Sequence, residues 1–235
     1  MFASTVTLRT DAGASFGAYL AGSDRPNGAS VVVLQEIFGV NANMRSVAEG
    51  LATAGFTAIV PDLFWRQQPG VELNPATDRE RATELMRGLN PDLAVMDALL
   101  AAHYVRTLNG GSGKVGAVGY CLGGKLAYLL SMEAGIDAAA SYYGVAIQGA
   151  LDRMGAVRCP LVLHIAEEDQ LCPPEAQAAI EQAAAQHSDR VKVMRYAGVG
   201  HAFARRGSPV FDQQAAERAD KATKELLRAN LVGAA

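Results

Sequence analysis

The stretch "ASVVVLQE" (residues 29–36) packs three valines and a leucine in succession before it ends in two polar residues. A strand with one face in water alternates apolar and polar side chains; a strand covered on both faces does not. The run therefore predicts a parallel strand buried inside an α/β sheet. The rest of the chain follows suit. "STVTLRT" and "SFGAYLAG" alternate like two strands joined by the turn "DAGA". "FTAIVPDLF", "KVGAVGY", "DAAASYYG", "PLVLHIAEED" and "VKVMRYAG" read as further strands. Helical patterns fall between most of them. "NANMRSVAEGLATAG" puts Met44, Val47, Leu51 and Ala54 on one face, with Gly55 as stop signal. "TDRERATELMRGL" and "PDLAVMDALLAAHYVRTL" follow, the latter ending at a turn over Asn109–Gly113. "LGGKLAYLLSMEAG", "PPEAQAAIEQAAAQH" and "FDQQAAERADKATKELLRANL" complete the set. The alternation predicts a doubly wound, mostly parallel sheet with helices on both faces, in one domain over residues 1–235.

Composition narrows the function classes. Half of the 235 residues are hydrophobic, which is ample for a core and excludes disorder. A net charge of −3 with scattered basic residues gives no footprint for nucleic acid or an anionic membrane. No run approaches the ~18–20 apolar residues of a membrane span, and the N-terminus lacks a signal-peptide pattern. The three cysteines, Cys121, Cys159 and Cys172, form neither a disulfide framework nor a zinc motif. A cytoplasmic protein with reduced thiols is expected, acting as a monomer.

The chemistry centres on "GYCLGG" (residues 119–124), which follows a strand and opens a helix. This is the context of a nucleophile elbow, G-x-S-x-G, with Cys121 in the serine's place. Glycines are needed there because the helix packs close to the strand. The helix N-terminus favours a thiolate, and the N–H of Leu122 points where an oxyanion would form. A phosphate-binding glycine loop is a poor match, since the glycines are wrongly spaced and sit late in the chain. In the chain order nucleophile, acid, histidine of α/β-hydrolases, Asp169 fits the second place and His201 the third. Glu167 and Glu168, neighbours of Asp169 on the same loop, are the alternatives for the acid. His103, His164 and His187 fall on a helix, within a strand and at a helix end, and read as ordinary surface or core residues. The second oxyanion donor is the N–H of Ile37, in the loop after "VVVLQE". Glu36 beside it is costly to bury unpaired, so it either meets an arginine or contacts the thiol. His164, Glu167, Glu168 and Asp169 cluster in sequence, but strand alternation sends neighbours to opposite faces, so shared metal ligation is not expected. No metal and no organic cofactor are expected.

Together "QEIFGVN", "PDLFWRQQPG", "KVGAVGYCLGG", "YYGV", "EEDQLCPP" and "GHAFAR" resemble the dienelactone hydrolase (carboxymethylenebutenolidase) family, cysteine members of the α/β-hydrolase fold. The resemblance runs nearly end to end. It implies Cys121 as nucleophile, His201 as base, Asp169 as its orienting acid, and Ile37 and Leu122 as oxyanion donors. It implies that Glu36 is a thiol partner shifted when a substrate carboxylate binds. It also implies that Arg205 and Arg79, with Arg81 as alternative to the latter, bind that carboxylate. The expected partner is a small anionic enol-lactone or ester. Two positions depart from the family pattern, Thr83 for a tyrosine and Ala202 for a serine, both expected to touch the pocket. A related esterase, or a non-catalytic binding protein on the same scaffold, is the alternative.

Overall fold

A computed structural model describes residues 1–108 and 113–233. Apart from Gly113, the turn expected at Asn109–Gly113 lies outside the described residues. Eight strands form one sheet in the order β1-β2-β4-β3-β5-β6-β7-β8. β1 (Phe2–Arg9) and β2 (Ser15–Gly22) form the expected antiparallel hairpin, and β2 also pairs antiparallel with β4 (Thr57–Pro61). From β4 onward the sheet is parallel: β3 (Ser30–Leu34), β5 (Val115–Tyr120), β6 (Ala138–Tyr142), β7 (Leu161–Ala166) and β8 (Val191–Tyr196). Every residue of β3 through β7 is buried, which is why these segments read as unbroken apolar runs. The edge strand β1 is mostly exposed.

Helices α1 (Ala42–Thr53), α2 (Arg79–Gly88), α3 (Pro91–Leu108), α4 (Leu122–Leu130), α5 (Pro174–Ala185) and α6 (Gln213–Leu231) match the predicted ones within a few residues. The buried stripe of α1 is Met44, Ala48, Leu51 and Ala52; Ala54 is already its C-cap. Two glycines of β5 show how the sheet is covered. A Cβ on Gly116 would sit 2.6 Å from Leu227 of α6, and one on Gly119 would sit 1.9 Å from the Gly123 carbonyl of α4. These positions differ in parity, so they face opposite sides of the strand, and helices lie on both faces. Leu227 and Leu231, both fully buried, occupy the space that Gly116 leaves; truncating either would cost about 2–5 kcal/mol.

One element was not legible. β6 and β7 are parallel, so the chain must cross over between them. The crossover is 3-10 helical over Ile147–Ala156, interrupted at Ala150. Its ten residues bury only Ile147 and Met154, too little for a helical period to show. Among the described residues no helix is long and apolar enough to cross a membrane.

Candidate active site

Cys121 occupies the turn between β5 and α4 with φ 56° and ψ −114°, a conformation that L-residues avoid. Strain of this kind costs about 1–3 kcal/mol and persists only where the surroundings impose it. Here the imposition is visible. The Cys121 N–H donates to the Tyr142 carbonyl at 3.0 Å, and its own carbonyl accepts from the N–H groups of Lys125 and Val145 at 3.2 Å each. A Cβ on Gly119 would strike the Gly123 carbonyl, and a Cβ on Gly123 would lie 2.2 Å from the Leu34 carbonyl. The glycines of "GYCLGG" therefore let α4 press on β5 and β3. The Gly123 N–H donates to the Gln35 carbonyl at 3.0 Å, tying the elbow to the loop after β3. That loop carries Ile37. Neither the Ile37 nor the Leu122 N–H has a hydrogen-bond partner among the described residues.

Asp169 lies on the loop after β7 and His201 on the loop after β8. The Asp169 carboxylate accepts from the Leu171 N–H through Oδ1 at 2.8 Å and meets His201 Nδ1 through Oδ2 at 2.8 Å. Glu167 turns away to Arg195 at 3.1 Å, and of the three acids Asp169 is the one bonded to the imidazole. Burial alone would pull the His201 pKa down, but the hydrogen bond it donates to Asp169 and the neighbouring Cys121 outweigh it and lift it to about 10. Among the described residues His201 Nε2 is buried with no partner in hydrogen-bond geometry, although the Cys121 sulfur is near enough to act on the ring. Such looseness is common in resting sites.

Glu36 is fully buried, and Arg205 holds it with two hydrogen bonds, Nε to Oε2 at 2.8 Å and Nη2 to Oε1 at 2.9 Å. Of its two expected partners, the arginine is the one present; among the described residues no hydrogen bond joins Glu36 to Cys121. The reason is donor strength, since a guanidinium fork offers two charge-assisted bonds where a thiol offers one weak one. Burial works against the Arg205 charge, but Glu36 outweighs it and raises the guanidinium's pKa. Its guanidinium also lies 5.1 Å from the Phe38 ring centre. These groups border a pocket of about 560 Å³ lined by Ile37, Phe38, Arg79, Cys121, His201 and Arg205 among others. Arg79 faces it, whereas Arg81 is held at the surface by Glu84 and Gln68. Ala202 lines the pocket, but Thr83 does not; its hydroxyl donates to the Arg79 carbonyl one turn back at 2.8 Å.

A model of the dienelactone hydrolase family matches residues 16–231. Carboxymethylenebutenolidase 1 of Cupriavidus pinatubonensis is 37% identical over 231 residues, covering 97% of each chain. The chain belongs to the dienelactone hydrolase family. The carboxymethylenebutenolidase of Pseudomonas putida is 34% identical, again over 97% of each chain. Among solved structures, the dienelactone hydrolase of Anabaena variabilis superposes with a TM-score of 0.72 at 17% identity, over 98% of each chain. That likeness speaks for the fold, the α/β-hydrolase fold. This dienelactone hydrolase family member is thus a carboxylic ester hydrolase.

Around the site stand residues that the sequence reading did not single out. Leu171 and Val210 are exposed apolar side chains on the pocket wall. Tyr143 stands edge-on to His201, with ring centres 5.1 Å apart. Only the motif "YYGV" pointed towards it, because a side chain's aim after a strand end depends on a backbone twist that no local pattern encodes. His164 is structural, as expected of a strand histidine. Its nitrogens meet the Tyr196 hydroxyl at 2.8 Å and Thr223 Oγ1 at 2.9 Å, joining β7 and β8 to α6. Burial, reinforced by Arg218 and Lys192, drops its pKa to about 3. His164, Glu167 and Asp169 therefore each engage a different partner, and among the described residues no cluster of His, Cys, Asp or Glu could hold a metal ion.

Proposed function

We propose that the chain hydrolyses a small carboxylate-bearing enol-lactone of the dienelactone type through a Cys121, His201 and Asp169 triad. The observation that carries this reading is the strained thiol at the elbow beside an imidazole whose Nδ1 is fixed by a buried carboxylate. The substrate carboxylate binds Arg205 and Arg79. Arg205 cannot keep its full fork on Glu36 and also serve the substrate, so the arriving carboxylate displaces Glu36, which turns towards the thiol. The thiol loses its proton to this group, and the thiolate, paired with the His201 imidazolium, attacks the lactone carbonyl. The oxyanion forms against the Ile37 and Leu122 N–H groups. The carbon–oxygen bond breaks, the ring opens, and the released enolate takes the proton of the His201 imidazolium. Water then attacks the thioester with His201 as general base and Asp169 stabilising the imidazolium; the carbon–sulfur bond breaks, and the leaving thiolate recovers its proton from Glu36.

The reading also takes the chain as one cytoplasmic, monomeric unit serving the breakdown of ring-cleaved aromatic compounds, with no metal or organic cofactor. The test follows loss of dienelactone ultraviolet absorbance for the wild type, Cys121→Ala and His201→Ala. Both variants should fold and lose turnover by at least ~10³-fold. Turnover near wild type in either one would remove the triad. A folded wild type that opens neutral aryl esters but no carboxylate-bearing lactone would keep the mechanism and replace the substrate.

A further inference from the structure

Tyr143 combines two features that do nothing for stability. It follows β6 with φ 38°, a left-handed backbone in a bulky residue. Its side chain is buried, with the residue 2% exposed, and its hydroxyl has no hydrogen-bond partner among the described residues. Buried polar groups are nearly always paired, so an orphan held by a strained backbone points to function. The ring packs edge-on against His201 at 5.1 Å and Phe203 at 5.4 Å, and its N–H is fixed on the His164 carbonyl at 2.8 Å. Hydrogen bonds on either side of Tyr143, from the Cys121 N–H to the Tyr142 carbonyl at 3.0 Å and from the Val145 N–H to the Cys121 carbonyl at 3.2 Å, hold it beside the elbow, and Glu36, Tyr120, Arg205 and Cys121 are ionisable groups that bear on its hydroxyl.

Glu36 accepts its two described side-chain hydrogen bonds from one residue, Arg205. Once a substrate carboxylate takes that guanidinium, Glu36 is a fully buried carboxylate in need of another donor. Resting on the function proposed above, the structure assigns Tyr143 as a positioning residue: its hydroxyl donates a hydrogen bond to the displaced Glu36 carboxylate and holds it facing the Cys121 thiol. The hydroxyl is unpaired at rest because its acceptor is elsewhere.

The experiment is Tyr143→Phe, which removes the hydroxyl and keeps the ring contacts. With a carboxylate-bearing lactone, kcat should fall about tenfold while KM stays within about twofold. In a Glu36→Gln background the same substitution should change kcat by less than about twofold, because the two groups act through one contact. The melting temperature should hold or rise, since an unpaired buried hydroxyl is removed. An unchanged kcat, a raised KM, or equal losses in both backgrounds would overturn the assignment. Cys121→Ala, assayed in parallel, separates the two readings. If it retains turnover, the triad falls, whatever Tyr143 does. If it is inactive and Tyr143→Phe is not impaired, only the positioning role falls.

Discussion

Arg205→Met isolates the buried ion pair. Methionine keeps most of the aliphatic stem over Phe38 and removes the guanidinium. Glu36, fully buried, then has no charged partner. The pair is also poorly placed for rescue by water, because the Arg205 side chain itself is only 12% exposed. Removing one member of such a pair costs about 3–5 kcal/mol, most of it the penalty of the stranded charge rather than the worth of the bond. At about 2–4 °C per kcal/mol, the melting temperature should drop by roughly 6–20 °C. Urea unfolding followed through the single tryptophan, Trp65, reads the change directly. The discriminating variant is the double, Glu36→Gln with Arg205→Met. If the stranded charge is the cause, the double should be more stable than Arg205→Met alone. A single variant within about 0.5 kcal/mol of wild type, or a double whose loss is the sum of the two singles, would refute the reasoning.

His201 makes stability depend on alkaline pH. Its pKa in the fold is about 10, above the 6.5 of a free imidazole, so its contribution is full below pH 6.5 and is lost as pH rises through about 10. The stability difference between wild type and His201→Gln should shrink between pH 6.5 and 10.5; a flat difference would contradict the raised pKa. Gly119→Ala should yield insoluble protein, because its Cβ meets backbone at 1.9 Å, whereas Gly149→Ala, with nothing within 4 Å, should express normally. Arg79→Ala should raise KM for carboxylate-bearing substrates about tenfold or more, and Arg81→Ala should leave it unchanged.

What was legible in the chain was whatever depends on near neighbours. The valines of β3 announced a strand covered on both faces, and "GYCLGG" announced a turn where a helix presses on a strand. Chain order was enough to nominate Asp169 and His201, because topology fixes which loop follows which strand. The partner of Glu36 was not legible: Arg205 lies 169 positions away, and any arginine would have met the same need. The same limit applied to Tyr143, whose meaning comes from a positive φ and an unpaired oxygen. Thr83 shows the opposite error. The family pattern, with a tyrosine at this position, suggested the pocket, but a threonine hydroxyl in a helix readily bonds the carbonyl four residues back.

The hydrogen bond from Gly123 to Gln35 joins the residue after Leu122 to the one two places before Ile37. The floor of the pocket is thereby laid in main chain, and its pitch is set by how β3 and β5 pair. Its walls are side chains on separate loops, Phe38, Leu171 and Val210 among them. Floor and walls answer to different parts of the sequence. A lineage could exchange the walls one residue at a time, trading one ester for another, while the reaction beneath them went on unchanged.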